Sequence, residues 1–122
     1  MRRLYFALDL KEDPALIKEY EDWHRAGRIW PEVLESLSIA GMKELEILRC
    51  GDRLVMVIEA PGDFSAADRA TLDKLSPRVK AWEELMWKFQ RPLPFAKAGE
   101  KWVPMERMFS LQETLEARES GK

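Results

Sequence analysis

Leu4, Phe6, Leu8 and Leu10 alternate with Tyr5, Ala7 and Asp9, a twofold period that predicts a strand over residues 3–10. Asp13 before Pro14 is an N-cap and first-turn signal. Leu16, Ile17, Tyr20, Trp23, His24 and Gly27 then recur on one broad helical face, predicting a helix to about residue 25. Trp30-Pro31-Glu32 restarts the helical pattern with Val33, Leu34 and Leu37 inward, and Gly41 supplies a left-handed stop, so this stretch reads as the first helix continued after a kink. Two β-rich runs follow at 45–49 and 53–60, joined by Cys50-Gly51-Asp52 as an antiparallel hairpin. Residues 54–58 are apolar on both faces, as in a strand covered on one side by helices and on the other by something else, such as a second subunit.

Pro61-Gly62-Asp63 reads as a turn, 65–75 as a short helix, and Ser76-Pro77 as the start of a longer one with the stripe Val79, Trp82, Leu85, Met86 and Phe89, which ends at Gln90. Pro92, Pro94 and Gly99 mark a loop, 102–111 a fourth strand, and 112–122 a charged tail or frayed helix. The order β-α-β-β-α-β predicts an α+β, ferredoxin-like fold: a four-stranded antiparallel sheet with helices on one face only. Apolar residues on both sides of the third and fourth strands, among them Val103, Met105, Phe109 and Leu111 opposite Trp102 and Met108, predict that the bare face is covered in a face-to-face dimer.

Composition narrows the function classes. The 122 residues, 46% apolar, suffice for one core, so a single domain over 1–122 is expected. Twenty Lys and Arg are interspersed with 22 Asp and Glu, which leaves no basic face for nucleic acid or an anionic membrane. The first ten residues are too short for a signal segment, and no stretch is long and apolar enough to span a bilayer. A lone cysteine, Cys50, and six methionines fit a reducing compartment, so a cytoplasmic location is expected.

His24 is the only histidine, and imidazole is the side chain suited to moving protons near pH 7. Tyr20, four residues earlier, shares its helical face; the pair can meet one small ligand, or can simply pack against the sheet with hydrogen-bonded tips. Trp82 lies mid-stripe, as a core residue or as a flat surface for the C–H face of a sugar. Trp30 carries the same ambiguity, and Glu83 and Trp87, four apart on another side of that helix, could line a pocket, form a dimer contact or do neither. Glu106, alternating with Trp102, Met108 and Ser110, is a carboxylate among apolar neighbours that needs a partner: Arg49, Arg107 or a substrate hydroxyl. Cys50 has no Cys or His near it in sequence, and there is no phosphate loop, G-x-S-x-G elbow or H-E-x-x-H, so no metal site is expected.

Tyr20-Glu21-Asp22-Trp23-His24, Trp30-Pro31-Glu32, Gly41, Arg53-Leu54-Val55-Met56, Trp82 with Met86, and Glu106 with Phe109 occur in an order and spacing that resembles the L-rhamnose mutarotase family, over residues 4–111. The resemblance implies a ferredoxin-like domain paired into a dimeric α/β barrel and an isomerase that interconverts α and β anomers of a 6-deoxy-L-sugar without a cofactor. His24 would transfer the proton by donating to the ring oxygen, Tyr20 would hold a hydroxyl, and Trp82 would stack on the pyranose, with Trp30 and Glu106 as further sugar-binding candidates. The chain departs from the rhamnose-type pattern at Leu45, where those members carry tyrosine, and at Glu83, where they carry a second tryptophan. It also has a longer interval, Arg25-Ala26-Gly27-Arg28-Ile29, before Trp-Pro-Glu. These departures point away from L-rhamnose, and the resemblance, through a related branch proposed to act on L-fucose, makes that sugar the leading alternative. Two further readings are a cofactor-free or haem-linked oxygenase on the same dimeric barrel and a non-catalytic ligand-binding dimer.

Overall fold

The computed structural model describes residues 1–25, 27–65, 68–69, 73 and 75–121. Strands β1 (Arg2–Leu10), β2 (Glu44–Cys50) and β3 (Arg53–Ala60) form an antiparallel sheet with β1 beside β3, registered from Arg2↔Ala60 to Asp9↔Arg53, and β3 beside β2. The β2–β3 hairpin closes at Cys50↔Arg53 over Gly51-Asp52, with Gly51 at φ 62°, a conformation glycine adopts without strain. Strand alternation sends Phe6, Leu8, Leu10, Leu54 and Ile58 to one face, where they are buried. Tyr5, Ala7, Val55, Val57 and Leu48 fall on the other face, and Leu48 is 53% exposed.

The helices that cover the first face are α1 (Pro14–Trp23), α2 (Pro31–Ile39) and α3 (Pro77–Trp87). The caps lie where the sequence places them: the Asp13 carboxylate accepts from the Ala15 and Leu16 amides, and the Ser76 hydroxyl from Val79 N–H. The expected single kinked helix is instead two helices. α1 ends at Trp23 with His24 as its C-cap, and the chain then passes through Gly27 at φ 84°, which no continuous helix contains, before Pro31 opens α2. Gly41, at φ 77°, ends α2 so close to Pro61 that a Cβ there would lie 2.9 Å from its Cγ. Gly41→Ala therefore combines left-handed strain with a steric clash and is expected to cost about 1–3 kcal/mol, read as a lower urea midpoint with unchanged m.

The helix expected over 65–75 falls largely outside the described residues; Asp68, Arg69 and Asp73 within it are helical. The fourth-strand position beside β1 is filled by two short pieces, β4 (Gln90–Arg91) opposite Asp9 and Leu10, and β5 (Val103–Pro104) opposite Phe6 and Ala7. The strand expected over 102–111 thus shrinks to two residues plus one further bond, from Met105 N–H to the Tyr5 carbonyl at 2.8 Å. Pro104 has no N–H to add to the ladder, and beyond Met105 the apolar residues do not fold onto this chain's own core. Residues 105–109 are exposed, Met108 to 97%, and lead into α4 (Leu111–Ser120), capped by Ser110 and without a buried residue. The expected charged tail is therefore a helix for most of its length.

The sheet order β2-β3-β1-β4, with helices on one face, is the ferredoxin-like arrangement. Asp9, buried on β1, ties three strands at one end: it takes two hydrogen bonds from Arg53 (2.8 and 3.1 Å), while Arg91 on β4 reaches it at 3.9 Å and Asp52 at 2.6 Å. Among the described residues no helix is long and apolar enough to cross a membrane.

Candidate active site

The last turn of α1 presents Tyr20 and His24 on the same side, their rings 4.4 Å apart and inclined at 44°. His24 occupies the C-cap, and its Nδ1 lies 2.8 Å from the Tyr20 carbonyl. A carbonyl only accepts, so Nδ1 carries the proton and Nε2 keeps its lone pair. Burial pushes the His24 pKa below the usual 6.5, with the Nδ1 hydrogen bond opposing in part. At neutral pH the ring is therefore uncharged, with its basic lone pair on Nε2.

Tyr20 is 3% exposed. Its phenol pKa is pushed up to about 12, first by burial and further by the Glu83 charge, against a lowering hydrogen bond from Gln90. That bond runs from Gln90 Nε2 to the Tyr20 hydroxyl at 3.3 Å. The phenol stays protonated, able to donate but not to act as a base. The other end of the Gln90 amide, Oε1, is buried without a hydrogen-bond partner among the described residues.

Trp82, 5% exposed on α3, backs this pair. Its ring meets His24 at 5.8 Å, Trp30 at 5.3 Å and Trp23 at 6.2 Å, all edge-to-face. The guanidinium of Arg78 lies over Trp30 at 4.1 Å and that of Arg28 over Trp23 at 4.7 Å, fixing both outer rings. Four of the five site residues expected from sequence, Tyr20, His24, Trp30 and Trp82, thus form one aromatic cluster. Trp82 is a core residue, as one of its two readings expects, and its buried ring packs edge-to-face against His24.

Glu106 does not join them. It lies exposed on the extended segment after β5, and its expected partners are engaged elsewhere, Arg49 with Glu21 at 2.6 Å and Arg107 with Glu113 at 3.0 Å. Of the residues it alternates with, Met108 is exposed and Trp102 and Ser110 are half-buried, while Glu106 itself is exposed, so no buried charge arises.

A cleft of ≈ 670 Å³ lies on the helix-covered side of the sheet, with Phe6, Met56 and Ile58 from the strands and Glu83, Trp87, Lys101 and Trp102 among its lining. Glu83 follows Trp82 in sequence, and Trp102 packs against both core clusters, the one holding Tyr20 and Trp82 and the one holding Phe6 and Ile58. Of the lining residues, Glu83 and Trp87 carried a sequence signal in their shared helical side. Lys101 and Gln90 carried none, because the loop and the two-residue strand that bring them in have no periodicity. Among the described residues no three His, Cys, Asp or Glu side chains are grouped to hold a metal ion, and Cys50 is an exposed free thiol.

Comparison with known proteins agrees with this architecture. The chain is 49% identical over 121 residues to the L-fucose mutarotase of Xanthomonas campestris pv. campestris, covering 99% of this chain and 97% of that one. The crystal structure of the L-rhamnose mutarotase FA22100 from Formosa agariphila superposes with a TM-score of 0.62 over 91% of this chain and 99% of its own, at 22% identity. Tetracenomycin F2 cyclase from Streptomyces glaucescens superposes at 0.60, over 90% and 98%, at 16% identity. The two superpositions speak for the ferredoxin-like fold alone. Since the family model for L-rhamnose mutarotase matches residues 3–111 in addition to the half-identical full-length relative, the chain belongs to the L-rhamnose mutarotase family.

Proposed function

We propose that the chain interconverts the α and β anomers of a 6-deoxy-L-sugar, with L-fucose the preferred substrate and His24 as the proton-transfer residue. The isomerase class follows from the family. The choice of sugar rests on the half-identical relative named for L-fucose and on the departures at Leu45 and Glu83. The observation that carries the mechanism is the His24 Nδ1 hydrogen bond to a carbonyl, which leaves Nε2 free in a desolvated ring.

On this reading His24 acts first as a base and then, as the imidazolium, as the donor to the ring oxygen that was expected of it. A neutral Nε2 takes the proton from the anomeric hydroxyl; the C1–O1 bond becomes a carbonyl as the bond from C1 to the ring oxygen breaks, and the imidazolium returns the same proton to the ring oxygen. Both oxygens are bonded to C1, so one nitrogen can reach each in turn. Rotation about C1–C2 exposes the other carbonyl face, and the steps run backwards. The protonated Tyr20 phenol donates to a sugar oxygen, and Trp82 and Trp30 hold the imidazole edge-on.

Acceleration should be constant above the lowered His24 pKa and fall as pH drops through it, because protonation removes the base. The same shift gives a sign for stability. The unfolded chain binds a proton at its ordinary 6.5 while the folded ring resists it, so stability falls as pH drops below 6.5. A ¹⁵N titration of this sole histidine checks both, and a folded pKa above 6.5 or a proton on Nε2 would contradict the assignment. Substrate choice is checked by exchange rates on L-fucose, L-rhamnose and L-galactose at equal concentration, with L-fucose expected to be fastest.

The working unit, on this reading, is a cytoplasmic homodimer that binds neither nucleic acid nor membrane. The sheet face bearing Tyr5, Val55, Val57 and Leu48 has no helix of its own, and the segment from Met105 into α4 exposes Met105, Met108, Phe109, Leu111 and Leu115. Two sheets packed face to face, each crossed by the partner's C-terminal arm, would cover both sets.

A further inference from the structure

The cleft contains an ion pair that the proton-transfer step does not use, formed by a largely buried lysine and a glutamate that is 49% exposed. Lys101, 14% exposed in the loop before β5, donates to the Glu83 carboxylate on α3, and its ammonium sits 5.2 Å above the Trp87 ring. Drawing a lysine out of water is unfavourable unless it is paired, and Glu83 supplies the partner while half of its own side-chain surface stays accessible where it lines the cleft. Burial pushes the Lys101 pKa down against the opposing influence of Glu83, in keeping with a desolvated ammonium.

We propose that Glu83 and Lys101 bind two adjacent hydroxyls of the sugar ring and so determine which sugar the protein accepts. This rests on the mutarotase reading for the class of ligand, and deepens it. A vicinal diol offers one hydroxyl that accepts and one that donates. An ammonium with three N–H groups, one of them given to Glu83, and a carboxylate with two oxygens supply the complement, with charge-assisted strength. Trp87 and Trp102 give the flat apolar wall that suits a pyranose C–H face, and Phe6, Met56 and Ile58 give an apolar floor suited to a C6 methyl group. Glu83 directly follows Trp82 on α3, the residue whose ring meets His24, so the pair and the proposed catalytic cluster share that helix.

The test is binding, followed by intrinsic tryptophan fluorescence, of L-fucose and its analogues lacking the 2-, 3- or 4-hydroxyl to the parent, Glu83→Gln and Lys101→Met. The parent should bind two of the three analogues roughly 10- to 100-fold more weakly than L-fucose. Each variant should lose a comparable factor for L-fucose and no longer distinguish it from one of those two analogues, a different one for each variant. Variants that bind L-fucose within twofold of the parent, or that weaken every sugar by one common factor, would overturn the inference; should Lys101→Met not fold, Glu83→Gln decides alone. Because the readout is affinity, a parent that binds the sugars without accelerating exchange refutes the mutarotase reading and leaves this inference to be judged on its own. A parent that binds none of them defeats both.

Discussion

His24→Ala is expected to lower the protein-dependent anomer exchange rate by roughly 10²- to 10⁴-fold, while L-fucose affinity changes far less. The size follows from the reaction. Sugar anomers interconvert in water without help, so a positioned acid/base group accounts for nearly all of the acceleration. The histidine is unique in the chain, the phenol beside it is held protonated at a pKa of about 12, and no second base replaces the imidazole within the aromatic cluster. Tyr20→Phe separates the roles: it removes a donor to the sugar but leaves the base, so a loss nearer 10-fold is expected. Removing the imidazole also opens a space beside Trp82, which costs stability; comparing rates at saturating protein, with fold integrity checked by circular dichroism, keeps the two effects apart.

Removing residues 105–122 is expected to convert a dimer into a monomer over most of the working concentration range. Five large apolar side chains on that arm are about half exposed or more in the single chain, and each is worth about 1.5–3 kcal/mol when fully buried. After partial burial and the cost of association are allowed for, a net loss of about 4 kcal/mol is reasonable, roughly a thousandfold in Kd. Light scattering coupled to size exclusion should give about twice the 14.3 kDa chain mass for the parent and a concentration-dependent mass for the truncated chain. Equal masses for both would remove the arm from the interface, and a monomeric parent would remove the dimer.

The parts of the fold legible in the sequence are those in which one local rule acts alone. Alternation fixed β1 because one of its faces is fully buried, and Asp13-Pro14 and Ser76-Pro77 marked helix starts because capping is a contact over two or three residues. Tyr20 and His24 could be paired because a helical turn guarantees their proximity. The other features were not set by a single local rule. The break at Gly27 depends on a positive φ that a glycine permits but does not require. The fourth-strand position is shared by Gln90–Arg91 and Val103–Pro104, on either side of a proline-containing loop, so the pairing with β1 depends on where that loop folds and not on a local period. Glu106 was misplaced for a related reason: alternation identifies an apolar face without saying which chain covers it. Lys101 was invisible because its meaning comes entirely from Glu83, eighteen positions away on another element.

The central claim, that this protein opens and recloses a sugar ring through the Nε2 atom of His24, is tested most directly by exchange spectroscopy on the anomeric protons of L-fucose, with the parent and His24→Ala side by side at pH 7. The account predicts cross-peaks that grow with parent concentration and fall to the spontaneous rate in the variant. Acceleration that survives in a folded His24→Ala protein would contradict it.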